Sequence, residues 1–369
     1  MAVFTTSYPR HDGDFAGLFV ADLVSHVRAR GVDVDVVCPG TFRDFGLTDV
    51  TGAGLVGNLR RRPWVAPAAF VGMAQALRRA ARQADLVHAN WLAGALVARL
   101  AGRPFVVTLH GSPSAGRFDD LSVVERAPGL VRWALAPARG VICVSEALAE
   151  AVREIGIEDV HVIPSGIDVP PAVTQPDDPP FVLYVGRLAD EKGLDVLAQA
   201  AFDLPLVVVG DGPRRDLFPD ALGFLPPAEV HAWYDRASVV VLPSRKEGLG
   251  NVLMEGMAHG RAVVGSAVGG IATLIDHGRT GLLVPPANAA ALRGALRLLL
   301  DDADLRARLG AAGREDVIRR ASWDVVTDRT LSVYRSALNR PRLSVVADDE
   351  PETGQASPAP HRARLVPLP

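Results

Sequence analysis

Short apolar runs alternate with segments of helical period along most of the chain. In the first half, Ala2 to Thr6, Val32 to Cys38, Asp85 to Ala89, Pro104 to Leu109, Gly140 to Val144 and Val160 to Ile163 are hydrophobic stretches of strand length. Helices fit between them. Phe19 to Arg30 carries Leu23, Val24 and Val27 on one face and ends at Gly31, a natural C-cap. Phe70 to Gln83, Leu92 to Ala101, Leu130 to Ala136 and Glu146 to Ile155 are the other helical segments of this half. Strands apolar throughout, separated by helices, predict a mostly parallel sheet covered on both faces.

Between Ile163 and Phe181 the chain turns to proline and aspartate, with Pro164, Pro170, Pro171, Pro176, Pro179 and Pro180 in one stretch, which predicts a linker. The alternation then restarts. Phe181 to Val185, Pro205 to Val209, Leu222 to Leu225, Ser238 to Leu242, Ala262 to Ser266 and Gly281 to Val284 read as strands, and Ala287 to Leu300, Ala303 to Arg320 and Trp323 to Leu338 as helices. The expected organisation is a first lobe over 1–165, a linker over 166–180 and a second lobe over 181–322. A helix over 323–340 is expected to pack back toward the first lobe, and the composition after Arg340 predicts a disordered tail over 341–369. Two doubly wound α/β lobes of this kind set the carboxyl ends of their sheets opposite each other across a cleft, where open α/β sheets bind ligands.

At 369 residues the chain has room for two such cores. Net charge is −3, so there is no basic field of the kind nucleic-acid binders use, and nucleic acid is not an expected partner. Of 39 Lys plus Arg, only Lys192 and Lys246 are lysine. Cys38 and Cys143 each end an apolar run and read as free thiols in a reducing compartment. The N-terminal residues lack the pattern of a signal peptide, and there is no apolar run of about 18 residues, so the expected location is cytoplasmic.

Candidate chemistry lies just after the strands. Pro243 stops the run that ends at Leu242, Gly248 and Gly250 free the backbone to present N–H groups, and Asn251 is placed to cap a helix carrying Val252, Leu253 and Met257. Glu247 and Glu255 bracket this segment. A glycine loop and helix start after a parallel strand form an anion site, because unpaired amides and the helix dipole favour negative charge. After Val185, Gly186-Arg187 and Glu191-Lys192-Gly193 place two cations in a glycine-bounded loop whose spacing fits neither a Walker loop nor a dinucleotide fingerprint. At about 4 Å and an effective dielectric of about 20, each pairing with a diphosphate charge contributes on the order of 4 kcal/mol before desolvation. The alternative is that Arg187 and Lys192 only pair with Asp190 and Glu191. Gly210-Asp211-Gly212-Pro213 makes a tight turn that could admit a ligand to the backbone, and His110 stands at a strand's carboxyl end. Asp12-Gly13-Asp14 looks like a metal-binding pair, but no cluster has zinc or di-metal spacing.

Gly186-Arg187 with Glu191-Lys192-Gly193, Glu247 and Glu255 eight positions apart around Gly248-Leu249-Gly250, Gly269-Gly270-Ile271, and Ile163-Pro-Ser-Gly-Ile-Asp168 together resemble the motif set of family 4 glycosyltransferases, in order and spacing, over residues 1–340. Tyr8-Pro9, His88-Ala-Asn90, His110-Gly111 and Val144-Ser-Glu146 fall where such enzymes carry similar residues. The resemblance implies a GT-B fold, two Rossmann-like lobes, with the nucleotide sugar held mainly by the second lobe and the acceptor by the first. It also implies retention of anomeric configuration. Arg187 and Lys192 would bind the diphosphate, Glu255 the ribose diol and Glu247 the donor sugar. Gly186, Leu249, Asn251 and the amides of Gly248 to Gly250 would complete the donor site. His110 would sit against the sugar, Gly17 would let the first-lobe loop approach it, and no metal or other cofactor is expected. Ala272-Thr273 replace the family's usual Pro-Glu, which implies tuning of that loop, and Leu249 replaces a common Phe. The short stretch from Gly212 to Gly223 leaves the nucleotide base open.

The implied function is transfer of a hexosyl group from a nucleotide-diphosphate sugar to a glycan or lipid-linked acceptor. Alternatives are a sugar-nucleotide epimerase or phosphorylase on the same fold and a binding protein without activity. A nicotinamide oxidoreductase would need a Gly-x-Gly-x-x-Gly turn after a first-lobe strand, and the chain has none. Arg60-Arg61-Arg62-Pro63-Trp64, with Phe70, Arg78, Arg79 and Arg82, could touch anionic lipid at the inner membrane face or be an ordinary solvated face.

Overall fold

The computed structural model describes residues 1–10, 17–43, 45–47, 58, 61–111, 120–339, 343–344 and 366–367. Among them, β1 (Ala2–Phe4), α1 (Leu18–Ala29), β2 (Asp35–Val37), α2 (Ala66–Ala81), β3 (Val87–Asn90), α3 (Trp91–Arg99), β4 (Phe105–Leu109), α4 (Asp120–Arg126), α5 (Pro128–Leu135), β5 (Val141–Cys143), α6 (Glu146–Glu154) and β6 (Val160–Val162) form the first lobe. Its sheet is parallel in the order β2-β1-β3-β4-β5-β6. The side chains of β1, β3, β4 and β5 are buried because helices cover both faces. Phe4 and Val107 pack with α2 and α3 on one side, and Val3, Val106 and Ile142 pack with α1 on the other.

The second lobe repeats the scheme with β7 (Val182–Val185), α7 (Leu194–Ala200), β8 (Leu206–Val209), α8 (Pro227–Arg236), β9 (Val239–Leu242), α9 (Asn251–Ala258), β10 (Ala262–Ser266), α10 (Gly269–Leu274) and β11 (Leu282–Val284). Its parallel sheet runs β11-β10-β9-β7-β8. The fold is therefore α/β with two doubly wound lobes. All four residues of β9 are buried, and each such side chain stabilises the lobe by roughly 1.5–3 kcal/mol. Helices α11 (Ala289–Asp301), α12 (Ala303–Ala321) and α13 (Trp323–Asn339) follow.

Leu222 to Leu225 is not a strand. Gly223 takes φ 77°, outside the β region, so only an isolated antiparallel bridge to Gly210 forms, and Leu222 and Phe224 are exposed. Helices α4 and α8 carry too few apolar positions to stand out in the sequence; in α8 only Tyr234 is fully buried.

The chain crosses between lobes twice, and the crossings lie side by side, with the Ile167 amide donating to the Ala321 carbonyl at 2.9 Å. Gly166 leaves room for the Trp323 ring, which would stand 2.2 Å from a Cβ there. Helix α13 lies on the first lobe. Trp323 stacks on His26 at 4.5 Å, Arg30 pairs with Asp324 and Asp328, and the Tyr334 hydroxyl meets His88 Nδ1 at 2.7 Å. The expected tail falls almost wholly outside the described residues.

Candidate active site

The carboxyl ends of both sheets enclose a cavity of about 300 Å³, lined from the first lobe by Phe19, His110 and Val144 and from the second by Arg187, Lys192 and the loop after β9. Arg187 follows β7 directly, is exposed to the cavity and makes no ion pair among the described residues. Lys192 ends a 3-10 turn, Asp190–Lys192, and its Nζ lies 2.6 Å from Glu247 Oε2, with the two side chains 17% and 9% exposed. Neither cation is spent on its own loop. Asp190 pairs with Arg214, and Glu191 lines the cavity.

Glu247 is further held by Ser244 Oγ at 3.3 Å and by the Gly248 amide at 3.3 Å. Its loop is clamped at several points. Arg245 grips Asp195 through both terminal guanidinium nitrogens, and Lys246 reaches across the cleft to donate to Ser122 Oγ on α4. The second rare lysine therefore ties the lobes together. Gly248 is a close approach of the lobes, since a Cβ there would lie 2.2 Å from the Gly111 carbonyl oxygen. Gly269 and Gly270 pack the start of α10 against the same loop, where added Cβ atoms would meet the Glu247 and Gly248 carbonyls at 2.1 and 2.2 Å.

Asn251 does not cap α9. Gly250, at φ 89°, is the capping residue and no side chain caps the helix, so Asn251 is its first residue and lines the cavity instead. Leu249, Gly250 and Val252 share that wall. The Gly210-x-Gly212 turn admits another loop instead of a ligand. Cβ atoms at those positions would meet the Gly186 and Leu188 carbonyls at 1.9 and 2.4 Å, so the turn supports the loop bearing Gly186 and Arg187.

His110 ends β4. Its amide donates to Asp120 Oδ2 at 2.9 Å, while Asp120 Oδ1 accepts from the Leu92 amide at 3.1 Å, so one buried carboxylate holds two loop ends. The ring meets Asn90 Oδ1 through Nε2 at 2.9 Å and sits between Phe19 and Trp91. Burial, with His88 nearby, pushes its pKa down to about 3, so the imidazole is neutral near pH 7.

Three of the expected site residues, Gly17, Gly186 and Glu255, lie off the cavity wall. Glu255, partly buried on α9, takes the Tyr234 hydroxyl at 2.6 Å; burial raises its pKa, and the hydroxyl and His231 oppose the rise. Gly17, at φ 70°, abuts the Ser7 carbonyl, where a Cβ would come within 2.2 Å. Asp12 and Asp14 fall outside the described residues, among which no group of His, Cys, Asp or Glu is placed to hold a metal ion. Ser165, Phe19 and Val144 line the cavity without having been singled out as site residues; Ser165 and Val144 sit in quoted motifs, whereas Phe19 gave no signal beyond its helix face.

Two Rossmann-like lobes facing across a cleft, with cations after one strand and a glutamate loop after another, define a GT-B glycosyltransferase. Residues 16–170 match the family model Glycosyltransferase Family 4, and residues 168–316 match Glycosyl transferases group 1. The chain is 31% identical to alpha-maltose-1-phosphate synthase of Mycolicibacterium smegmatis, covering 91% of this chain and 98% of that one. It belongs to the family 4 glycosyltransferases. Sucrose-phosphate synthase from Thermosynechococcus elongatus shares the fold at a TM-score of 0.75 and 24% identity, over 90% of this chain and 98% of that one. Anabaena HepE, solved in complex with UDP-glucose, does so at 0.65 and 20%, over 91% and 99%.

Proposed function

We propose that the protein is a retaining hexosyltransferase that takes a nucleotide-diphosphate sugar and passes the sugar to a glycan or lipid-linked acceptor. The observation that carries this is the convergence of Arg187, Lys192 and Glu247 on one cavity beside the Gly248–Gly250 loop. As the bond from the anomeric carbon to the diphosphate breaks and the bond to the acceptor oxygen forms, negative charge grows on the departing nucleotide. Arg187 and Lys192 would stabilise it, the role a metal ion serves elsewhere. Glu247 would hold the sugar's hydroxyls, His110 would face the sugar from the first lobe, and Glu255, supported by the Tyr234 hydroxyl, would take the ribose through its remaining acceptor sites. The relative solved with UDP-glucose supports a nucleotide-sugar donor. A thermal-shift panel of UDP, GDP, ADP and their sugars tests the reading: one nucleotide and its sugar should stabilise the protein, and no response to any of them would contradict it.

We propose that the reaction runs on the cytoplasmic side, with contact at the membrane, because both cysteines are free and one stretch of the first lobe is strongly basic. Residues 50–118 hold nine arginines and one carboxylate, Asp85. In the same lobe Trp64 is 73% exposed, Val71 is exposed, and Arg99 lies over the exposed Trp133 ring at 4.1 Å. Such a surface fits anionic lipid. Among the described residues no helix is long and apolar enough to cross a membrane. Replacing Arg60, Arg61 and Arg62 with alanine should reduce sedimentation with anionic liposomes, and unchanged sedimentation would end the idea; Arg60 itself lies outside the described residues.

A further inference from the structure

Asn90, the last residue of β3, makes two side-chain contacts whose polarity is fixed from one end. Its Nδ2 donates to the Phe4 carbonyl at 3.3 Å, and because a carbonyl only accepts, the amide has one allowed orientation. Oδ1 therefore faces His110 Nε2, at 2.9 Å. Two acceptors do not face each other, so Nε2 carries the proton. Nδ1 is left with its lone pair and has no protein partner among the described residues, on a ring that lines the cavity. The ring is braced by Phe19 at 4.7 Å and by Trp91 at 4.9 Å. Trp91 itself sits at φ 62°, a conformation that bulky residues adopt only where surrounding structure imposes it.

We propose that Asn90 is a positioning residue that locks His110 as its Nε2–H tautomer, so that the cavity meets the donor sugar with a lone pair and selects sugars presenting a hydroxyl there over sugars presenting a carboxylate. The proposal rests on reading the cavity as a nucleotide-sugar site. A hydroxyl donates its proton to Nδ1. A uronic acid's carboxylate has none to give and would set a charged acceptor against a neutral one. The lock extends from the main-chain carbonyl of β1 through the Asn90 amide to the ring, so the ring cannot change tautomer unless the amide gives up Phe4.

Long-range proton–nitrogen NMR on protein labelled at the histidine ring nitrogens reads the tautomer without a ligand, with the His110 signals identified by their loss in His110→Gln. The expected ring is neutral and protonated at Nε2 between about pH 5.5 and pH 8. Protonation at Nδ1, or a ring that charges in that range, would overturn the lock. In Asn90→Asp the new carboxylate favours the imidazolium, and the ring should charge within the range; because the wild-type spectrum stands alone, a variant that misfolds does not remove the test. Calorimetry with UDP-, GDP- and ADP-glucose, followed by the glucuronate counterpart of whichever binds, reads the selection. The glucuronate should bind at least about tenfold more weakly to the wild type, and the gap should narrow in Asn90→Asp. Equal affinities would overturn the selection and leave the donor-site reading intact. Failure of all three glucose donors would overturn the donor-site reading, and the selection with it, whatever the tautomer.

Discussion

Lys192 Nζ and Glu247 Oε2 meet at 2.6 Å and join the loop after β7 to the loop after β9 in the wall of the cavity. The cation assigned to the diphosphate and the carboxylate assigned to the sugar thus neutralise each other in the absence of ligand. A diphosphate entering the cavity competes with Glu247 for Lys192. Glu247→Gln should therefore tighten binding of the free nucleoside diphosphate by about tenfold, the scale of one partly buried charge pair, while turnover falls. Calorimetry with the nucleotide found by thermal shift measures it, and unchanged or weaker binding would contradict the competition.

Gly248 and Gly111 bring the two lobes into backbone contact. A methyl group on Gly248 would stand 2.2 Å from the Gly111 carbonyl oxygen, and neither backbone has a flexible side chain that could yield. Gly248→Ala should push the lobes apart and lower turnover by about 10²-fold, as misplacements of about 1 Å do, with little change in melting temperature because each lobe keeps its core. Turnover and thermal unfolding read together test this. Full activity in the variant would show that the contact is dispensable.

Much of this organisation is legible in the sequence. Strands buried on both faces, such as Val239 to Leu242, announce themselves as unbroken apolar runs, and glycine and proline mark their ends. The loops bearing Arg187, Lys192 and Glu247 are readable because glycines frame them. Contacts made across the cleft are not. Nothing local to Lys246 shows that it reaches Ser122, nor does anything near Asn90 show that Phe4 fixes its amide, because those partners are brought together only by packing. Asn251 misleads for a local reason: an asparagine at a helix start is a good cap, but Gly250 adopts the left-handed conformation one residue earlier and takes the position.

Tyr234 and Glu255 share a hydrogen bond of 2.6 Å that favours the ionised carboxylate against the effect of burial. Removing the hydroxyl leaves burial less opposed, so the Glu255 pKa should rise further. If Glu255 holds the ribose, Tyr234→Phe should weaken nucleotide affinity by about tenfold, more at pH 6 than at pH 8 because the protonated carboxyl accepts less well. Equal affinities at both pH values, unchanged from wild type, would remove Glu255 from the nucleotide site.

His88 lies buried between Thr108 Oγ and the Tyr334 hydroxyl, 2.7 Å from each, and burial lowers its pKa to about 4. In the unfolded chain it titrates near the ordinary histidine value of 6.5. The unfolded state thus binds more protons in this window, and stability is full above pH 6.5 and falls as the pH drops toward 4, by about 3 kcal/mol in all. His88→Gln has no proton to take up, so denaturant unfolding should show a flatter acid limb than in the wild type. Parallel limbs would place the acid sensitivity elsewhere.

Arg187 faces the cavity with no ion pair among the described residues, whereas Arg214, on the neighbouring loop, is engaged with Asp190. Turnover of a nucleotide-sugar donor in Arg187→Ala, Lys192→Ala and Arg214→Ala therefore tests the central claim most directly. Loss of about 10²-fold or more in the first two, with Arg214→Ala near wild type, is the predicted result. Equal losses in all three variants would contradict it.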